Sequence, residues 1–283
     1  MEIKVKVVQH SSYERMVGED AGTKEIITFE LEYPRFIHSE LMTHRVFSRN
    51  AASSRAIPIA KMMEQVENIP AMPVYWGLDK PGMQAKNEHN DVELCEFTWR
   101  VAANRAVESA KLLQALGLHK QVVNRVLEPF QMMKTIVTST EWDNFYELRT
   151  HEDAQPEFRA LAILMKEAQD NSEAFHLEHG EWHVPYVERY RCPEYENLVY
   201  HLDDEDLTDL EVHQALKVSA SCCAQVSYRV LDDTLEKAEK IYRRLIDAKP
   251  IHASPFEHQA SPAHGNIYWG NFTYWTQYRK ILG

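Results

Sequence analysis

The sequence predicts an α+β fold, in which a sheet near the N-terminus packs against long helices. Residues 2–9 and 25–33 alternate apolar and polar side chains, the pattern of strands with one buried face. Residues 92–115 and 154–177 instead repeat apolar side chains at helical spacing, with charged residues between them. Two strands followed by a largely helical chain indicate separate sheet and helix layers.

The other segments follow in chain order. A polar, glycine-containing stretch joins the two strands, and Pro34 begins a helical pattern that continues to Arg45. Residues 71–90 contain Pro73 and Pro81 and predict a long surface loop. The later predictions are a short helix over 120–127, a β-rich stretch over 132–140, a turn-rich passage over 185–193, and helices over 209–224 and 232–249.

Composition excludes several classes of function. The 283 residues include 31 Lys and Arg against 43 Asp and Glu, a formal charge of −12, so no nucleic-acid polymer is expected as a partner. The chain has 9 glycines and neither G-x-G-x-x-G nor G-x-x-x-x-G-K-[ST]. Phosphates are therefore not bound by a Rossmann turn or a P-loop. No apolar run approaches the roughly 20 residues that a membrane span needs.

Cysteine usage and the first residues favour a cytoplasmic protein. The four cysteines, which form no C-x-x-C pair, are Cys95, Cys192, Cys222 and Cys223. A disulfide framework is not expected in so long a chain, and the adjacent pair is expected to be buried on a helix. Residues 1–10 alternate like a strand and lack the basic and apolar blocks of a signal peptide.

Residues 43–55 (THRVFSRNAASSR) are unusually rich in hydrogen-bond donors. Three arginines, a histidine, an asparagine and three serines occur within these thirteen residues. Arginine forks and serine hydroxyls bind phosphate oxygens, so the segment is a candidate phosphate site. A solvated helix face followed by a serine-rich loop is the alternative on composition alone.

Several motifs then occur in a characteristic order. The pattern R-H-R, seven residues, S, one residue and R reads Thr43-His-Arg, seven residues, Ser53 and Arg55 here. An arginine before V-L-P appears as Arg125-Val-Leu-Glu-Pro. The pair N/H-F-x-x-L/M-R and A-Q-x-E-I-R appears as residues 144–149 and 154–159. In this combination the chain resembles the flavin-dependent thymidylate synthases.

The last elements of that family appear out of their usual order. In the family, A-R-V-S-Y, a helix and S/T-P-F-E-H precede the strand that leads into R-H-R. Here residues 224–228 (AQVSY) and 254–258 (SPFEH) come last. The chain thus resembles a circularly permuted member with one catalytic domain over 1–283, in which 220–260 are equivalent to the usual N-terminal part. Exposed turns tolerate such new termini, and the permuted order predicts that His258 lies near residues 25–28.

The resemblance implies a fold, an assembly and a reaction. The fold is a mixed sheet-and-helix structure, and the assembly is a homotetramer with active sites between chains. FAD is bound without a Rossmann motif. In the implied reaction, methylenetetrahydrofolate donates a one-carbon unit to C5 of dUMP, reduced FAD supplies hydride and NADPH reduces the flavin. A deoxypyrimidine monophosphate and a folate are therefore the implied small-molecule partners.

Matched positions also imply site residues. Those expected at dUMP are Glu40, Ser53, Ser54, Arg55, Arg125 and Arg149. Among them, Ser53 and Arg149 are the catalytic candidates. Those expected at FAD are His44, Arg45, Asn144, Ser227 and His258.

Departures from the family pattern leave other functions open. Thr43 replaces the first arginine of R-H-R and Ala51 replaces a usual glutamate, so one alternative is a nucleotide-binding member that has lost catalysis. Glu40 stands where the family often has a glutamine facing the substrate. Because a carboxylate accepts a hydrogen bond from the cytosine amino group, a hydroxymethylase or other enzyme acting on dUMP or dCMP is a second alternative.

Two remaining motifs have competing interpretations. His176, His179 and His183 have a spacing that suits zinc, but Gly180 and Pro185 favour a helix end or loop, so no metal is predicted. The tail over 267–275 alternates aromatic with small or polar residues. It could stack bases, yet an aromatic hairpin on the sheet or an oligomer contact is favoured because the chain is acidic.

Overall fold

The main sheet has five strands. The computed structural model describes residues 2–16, 18, 20–82, 85, 87–202, 208–227, 231–263 and 268–282, with backbone only at 268 and 269. The strands of the main sheet are β1 (Lys4–Arg15), β2 (Gly22–Pro34), β3 (Ser48–Ala51), β4 (Met132–Ser139) and β5 (Phe175–His176). Their order is β3-β4-β2-β1-β5. All neighbours are antiparallel except β1 and β5, which are parallel.

Three smaller sheets lie in the C-terminal half. Their strands are β6 (Glu188–Arg191), β7 (Leu198–His201), β8 (Asp209–Leu210), β9 (Ala260–Pro262), β10 (Tyr268–Trp269), β11 (Phe272–Thr273) and β12 (Trp275–Gln277). Strand β7 pairs with β6 and β8, β10 with β11, and β9 with β12. The described part of the aromatic tail therefore forms the predicted hairpin, whereas Ile267 lies outside the described residues.

Helices and loops make up the rest of the described chain. The α-helices are α1 (His38–Leu41), α2 (Ile59–Asn68), α3 (Val92–Ala115), α4 (Lys120–Val123), α5 (Asp143–Arg149), α6 (Pro156–Asp170), α7 (Val212–Ala224), α8 (Leu235–Asp247) and α9 (Arg279–Leu282). The 3₁₀ helices cover Arg35–Ile37, Asn124–Phe130 and Ser254–Glu257. Among the described residues, no helix combines the length and apolar character that would cross a membrane.

One face of the main sheet carries the largest core. Ile27, Phe29, Leu31 and Tyr33 alternate along β2 and are at most 1% exposed, so they share this face. Helix α6 packs against it; Phe158, Leu161, Ala162 and Met165 are its fully buried side chains in this cluster. Burying each of the larger side chains stabilises the fold by about 1.5–3 kcal/mol. This layer holds α5 and α6 rigidly over one side of the sheet.

The two long helices predicted from periodicity are confirmed, and the second is shorter than predicted. The helix predicted over 92–115 has those bounds, and its first turn is capped by the Asp91 carboxylate, which accepts the Leu94 N–H. The helix predicted over 154–177 ends at Asp170, because residues 175–176 pair with β1 instead. Cys222 and Cys223 are buried on α7, as expected.

The helix predicted from Pro34 to Arg45 is too long. It ends at Leu41, where the Thr43 hydroxyl donates to the Glu40 carbonyl oxygen. Arg49 then donates to the carbonyl oxygens of Leu41, Met42 and His44 and so satisfies the helix end. The chain turns into β3, a strand that the sequence analysis did not predict.

Helix α3 buries only part of the apolar stripe that its spacing predicts, which consists of Leu94, Phe97, Val101, Ala102, Ala106, Ala110 and Leu113. Its fully buried side chains are the small or β-branched residues Ala103, Val107 and Ala110, which allow close packing against α2 and the 3₁₀ helix Asn124–Phe130. Leu94 and Phe97, which belong to the predicted core stripe, are instead 55% and 64% exposed. The outer side of α3 therefore presents large apolar side chains to solvent.

His258 lies close to the strand that its predicted position requires. Its Nδ1 atom is 2.8 Å from the Thr138 hydroxyl oxygen, which is 2.7 Å from that of Thr28 on β2. The predicted proximity of His258 to residues 25–28 is thus confirmed. The permuted chain order itself stays a prediction.

Candidate functional site

A cleft of about 1070 Å³ opens beside α1, α5 and the start of α6. Its apolar lining includes Phe36, Tyr75, Trp99 and Ile163. Its polar lining includes Glu40, Arg149, Gln155, Glu157 and Arg159. Aromatic surface combined with a few charged groups is typical of a site for a small planar ligand.

The loop over 71–90 forms one wall of this cleft. It is closed on itself by the Leu78 N–H bond to the Asn87 carbonyl and by the His89 N–H bond to the Trp76 carbonyl. Gly77 is needed there, since a Cβ at this position would stand 2.0 Å from the Ala85 Cβ. The predicted surface loop is therefore an ordered part of the cleft wherever the structure describes it.

Arg149 is the centre of the polar side of the cleft. Its Nε donates to His44 Nε2 over 3.0 Å, and its Nη1 is 3.3 Å from a Glu40 carboxylate oxygen. Its Nη2 donates to the Thr43 hydroxyl over 3.2 Å, and the guanidinium lies over the Phe158 ring. Thr43, which departs from R-H-R, thus accepts a hydrogen bond where another arginine would repel Arg149.

Burial sets the protonation of the groups around Arg149. Burial, reinforced by Arg149 and Arg49, lowers the pKa of His44 to about 4, so the ring is neutral at pH 7 and accepts the Arg149 hydrogen bond. Burial also raises the pKa of Glu40, an effect that Arg149 opposes. The cleft is therefore lined by a cation and a carboxylate, and the uncharged His44 imidazole is buried beside Arg149.

Glu157 connects α6 to the loop over 71–90 at the wall of the cleft. It is only 2% exposed, and its carboxylate accepts the Val74 N–H over 2.7 Å. Gln155 also contacts this carboxylate and caps α6 by accepting the Phe158 N–H. The start of α6 is thereby tied to the loop over 71–90.

Two of the residues expected at dUMP, Ser54 and Arg125, both contact Glu128. One carboxylate oxygen, Oε1, accepts from the Ser54 hydroxyl over 3.0 Å and from Arg125 Nη1 over 2.9 Å. The same oxygen is 3.0 Å from Arg35 Nη2. We call Arg35, Ser54, Arg125 and Glu128 the Glu128 cluster. Two cations on one carboxylate leave a net positive charge that suits a phosphate.

Ser53, Arg55 and Ser227 adjoin the Glu128 cluster. The Ser53 N–H donates to the Ser227 hydroxyl over 2.9 Å. The Arg55 side chain is exposed and makes no ion pair within the described part of the chain. Ser227 lines a second cleft of about 1270 Å³, together with Ala52, the residue before Ser53. Ser227, expected at FAD, is therefore grouped here with residues expected at dUMP.

The other residues expected at FAD lie elsewhere. Arg45 and Asn144 are exposed, and each is next in sequence to a residue of the His44–Phe145 ring contact. His258 is fully buried on the other face of the sheet, and its Nε2 has no hydrogen-bond partner among the described residues. The structure thus distributes the expected residues over the cleft, the Glu128 cluster and the interior.

Comparison with known families finds one match, over the first part of the chain. The family described as thymidylate synthase complementing protein matches residues 24–171. The chain belongs to this family. The match begins near the start of β2 and does not include 220–260. No curated protein matches the chain.

Two solved structures are similar to this family member in part of its length. Both are crystal structures of the UMP/dUMP methylase PolB from Streptomyces cacaoi, one bound with 5-Br dUMP and one with 5-Br UMP. Each is 20% identical in sequence and aligns with a TM-score of 0.49. The alignments cover 59% of this chain, and 90% and 88% of the two PolB chains.

Four residues of the site were missed by sequence reasoning. They are Arg35, Trp99, Glu128 and Glu157. Glu128 did leave a signal, since it interrupts the V-L-P stretch of the family as Arg125-Val-Leu-Glu-Pro. Glu157 also left a signal, as the glutamate of the A-Q-x-E-I-R motif over residues 154–159. Trp99 left none, because it lies in an ordinary helical pattern and meets the cleft only through distant packing.

Stability of this family member is expected to fall in mild acid. Burial lowers the pKa values of His38 and His44 to about 4, whereas an unfolded histidine titrates near 6.5. Because the unfolded chain then binds more protons, the free energy of unfolding decreases as pH falls from about 6.5 towards 4. The slope is about 1 kcal/mol per pH unit for each histidine.

Urea unfolding at pH 7.5, 6 and 5 measures this effect. His38→Gln is the matched variant. It should reduce the dependence of the unfolding free energy on pH, because the glutamine side chain does not titrate. An unfolding free energy that stays constant from pH 7.5 to 5 would contradict the neutral state of these histidines.

Proposed function

We propose that this protein is an FAD-dependent enzyme that methylates C5 of dUMP to give dTMP, with methylenetetrahydrofolate as carbon donor and NADPH as reductant. The observation that carries the proposal is the meeting of Glu40, Thr43 and His44 on Arg149 inside the aromatic-lined cleft. Membership in the thymidylate synthase complementing protein family supports it. One catalytic domain over residues 1–283 and a cytoplasmic location belong to the same proposal.

In this proposal the nucleotide is held at both ends. Arg55 and Arg125 provide guanidinium forks for the phosphate, and Ser53 and Ser54 add hydroxyl and N–H donors. Arg149 and the neighbouring carboxylate face the base in the cleft. The task of these side chains is orientation, which brings C5 into line with the carbon donor.

Donors near α1 and α5 fit FAD. The Arg45 guanidinium is exposed and makes no ion pair within the described part of the chain, so it is available for a cofactor phosphate. The exposed Asn144 amide can donate and accept, and the neutral His44 ring adds apolar surface. When bound, FAD supplies the hydride that completes the methyl group. The chain's own residues bind and orient it and hold the nucleotide beside it.

A site shared between chains explains why the residues form separate groups. Ser53, Ser54, Arg55 and Arg125 lie at the Glu128 cluster, whereas Arg149 lies in the cleft with the cofactor residue His44. We propose that the Glu128 cluster of one chain faces the cleft of another in a homotetramer. The exposed apolar side chains on the outer side of α3 support such an assembly.

Charge on the outer side of α3 is therefore expected to weaken assembly. Phe97→Glu and Leu112→Glu place carboxylates at positions that are 64% and 68% exposed, so a single chain should fold unchanged while the apolar contact is lost. Light scattering should report a mass below that of the wild-type tetramer. Arg244→Glu on α8 is the control, and a wild-type mass in all three variants would count against an α3 interface.

Glu40 favours a second candidate, an enzyme that acts on dCMP. Only one of its carboxylate oxygens contacts Arg149, so the other can accept a hydrogen bond from the cytosine amino group. Glu40→Gln removes the charge and adds an amide donor. If the native substrate is dCMP, this variant should shift preference towards dUMP.

Mass spectrometry of the products tests both candidates. Purified protein is incubated with methylenetetrahydrofolate, FAD, NADPH and either dUMP or dCMP. A methylated uracil nucleotide is the expected product, whereas a hydroxymethyl product or turnover of dCMP selects the alternative enzyme. Nucleotide binding without flavin absorbance and without product would instead indicate a member that has lost catalysis.

The permuted chain order is also part of the proposal. Its support is the short path from His258 through Thr138 to Thr28, which brings the SPFEH segment to the strand that would follow it in the usual order. Termini placed in exposed turns cost little stability.

A further inference from the structure

The Glu128 carboxylate gathers three hydrogen-bond donors on one oxygen atom. Its Oε1 accepts from the Ser54 hydroxyl over 3.0 Å and from Arg125 Nη1 over 2.9 Å, and it lies 3.0 Å from Arg35 Nη2. Its other oxygen, Oε2, makes no hydrogen bond to the residues that the structure describes. An anionic oxygen that meets two guanidinium groups and a hydroxyl has the contacts of a bound phosphate oxygen.

Buried groups fix the backbone on which these donors stand. Asn124 is 0% exposed, and its side-chain amide donates to the Ser54 carbonyl oxygen over 2.7 Å. The Arg35 N–H donates over 2.8 Å to the carbonyl oxygen of Gln131, which directly follows the 3₁₀ helix that contains Glu128. The fold therefore places the donors of the Glu128 cluster independently of the contacts that the carboxylate makes.

The Glu128 side chain is less constrained than its backbone. The backbone belongs to the 3₁₀ helix, in which the preceding Leu127 is fully buried. The carboxylate side chain is 23% exposed and is held through Oε1 alone among the described contacts. Rotation about the side-chain torsions takes the carboxylate off the arginines without moving the helix.

Charge makes the carboxylate and a phosphate competitors for this place. Arg35 and Arg125 carry two positive charges, and Glu128 cancels one of them. Within the described part of the chain only Nη1 of Arg125 makes a hydrogen bond, so a phosphate could contact its other nitrogens, but it would then lie beside the carboxylate and be repelled. If the carboxylate rotates away, its own contacts are lost instead. In either geometry, Glu128 lowers the affinity of the cluster for an anion.

The sequence places this acid where the family motif has none. The V-L-P stretch is interrupted in this chain, so that Glu128 stands between Leu127 and Pro129. Competition by a carboxylate is therefore a property of this chain's own sequence.

We propose that Glu128 is a specificity-determining residue, which occupies the donors of the Glu128 cluster and yields them to the phosphate of a nucleotide. Because the carboxylate weakens binding of the phosphate group alone, a ligand needs further contacts to displace it. A nucleotide has those contacts through its base, whereas inorganic phosphate has none. The choice of dUMP rests on the proposed function, but the competition between carboxylate and phosphate does not.

Glu128→Gln tests this competition, because it removes the charge at nearly constant shape. Glu128→Met removes the acceptor as well and is the second variant. Glu194→Gln changes the net charge equally at an exposed position in the turn between β6 and β7 and is the matched control. Calorimetry with dUMP and with deoxyuridine measures affinity. The thermal midpoint with and without inorganic phosphate measures folding and binding of the anion alone.

Glu128→Gln and Glu128→Met are expected to bind dUMP about tenfold more tightly than the wild type, with no change for deoxyuridine. Inorganic phosphate should raise the thermal midpoint of both variants more than that of the wild type, while Glu194→Gln should behave like the wild type. Adding Arg125→Ala to Glu128→Gln should remove the gain, because the phosphate then lacks one of its two cations.

Equal or weaker binding of dUMP and phosphate by the folded Glu128 variants would overturn the proposal, since the carboxylate would then orient the arginines instead of competing with a ligand. Failure of both variants to fold would also refute it, because the carboxylate would be a structural requirement. If no protein binds dUMP while the variants gain phosphate binding, the proposed function fails and the competition is supported. If the wild type converts dUMP and the variants show no gain, only the role of Glu128 fails.

Discussion

Replacing Arg149 with alanine is expected to lower kcat/KM for the nucleotide at least about 100-fold, or about 2.7 kcal/mol of transition-state stabilisation. The change removes hydrogen bonds to His44, Glu40 and Thr43 together. It also leaves the Glu40 carboxylate in the cleft without its cation, so the net charge of this pair changes from zero to negative. Steady-state kinetics with dUMP and calorimetric binding measure the loss.

Arg149→Lys is the control for charge alone. Lysine keeps the cation but lacks the fork that reaches three acceptors at once, so an intermediate loss is expected. Wild-type kinetics in Arg149→Ala would contradict a role for the cleft in substrate binding. The thermal midpoint separates this outcome from misfolding, because Arg149 also lies over the Phe158 ring.

Replacing Arg125 with alanine is expected to abolish measurable nucleotide binding while leaving the fold intact. The Arg125 side chain is 55% exposed and its ion pair with Glu128 is at the surface, where such a pair contributes at most about 1 kcal/mol of stability. No core position is emptied. A phosphate at this place would lose a charge-assisted hydrogen bond, so the effect falls on binding.

Calorimetry with dUMP and dCMP decides this prediction. Arg244→Ala, which removes an exposed arginine from α8, controls for the change in net charge. Unchanged affinity in Arg125→Ala would remove the Glu128 cluster from the proposed site. A large drop in thermal midpoint would instead show that Arg125 stabilises the fold more than its exposure indicates.

Much of the secondary structure was predictable because its signals are local. The helix over 92–115 has a side-chain cap at Asp91 and regular apolar spacing, and the strand over 25–33 alternates within its own residues. Strand β3 lacked such a signal. Its four residues are held by pairing with β4, from Ser48 with Thr138 to Ala51 with Thr135, and by the Asn50 bond to the Cys223 carbonyl.

The site was predictable as a set of residues but not as an arrangement. Motif order selected His44 and Arg149, yet their direct contact joins residues 105 positions apart. Glu128 shows the same limit, since no local pattern indicates that two arginines and Ser54 converge on one of its oxygens. Such contacts depend on how helices pack on the sheet.

The sequence by itself determined the long helices and the first two strands, which family motifs are present and that any phosphate must be bound by side chains rather than by a glycine-rich turn. Periodicity, caps and motif spacing carry this information over a few residues. Only the tertiary structure decided that the expected residues separate into the cleft, the Glu128 cluster and the interior, where His258 is fully buried. The physical reason is that strand register and helix packing bring distant residues together. Burial then decides which titratable side chains are charged and which, like His44, are neutral.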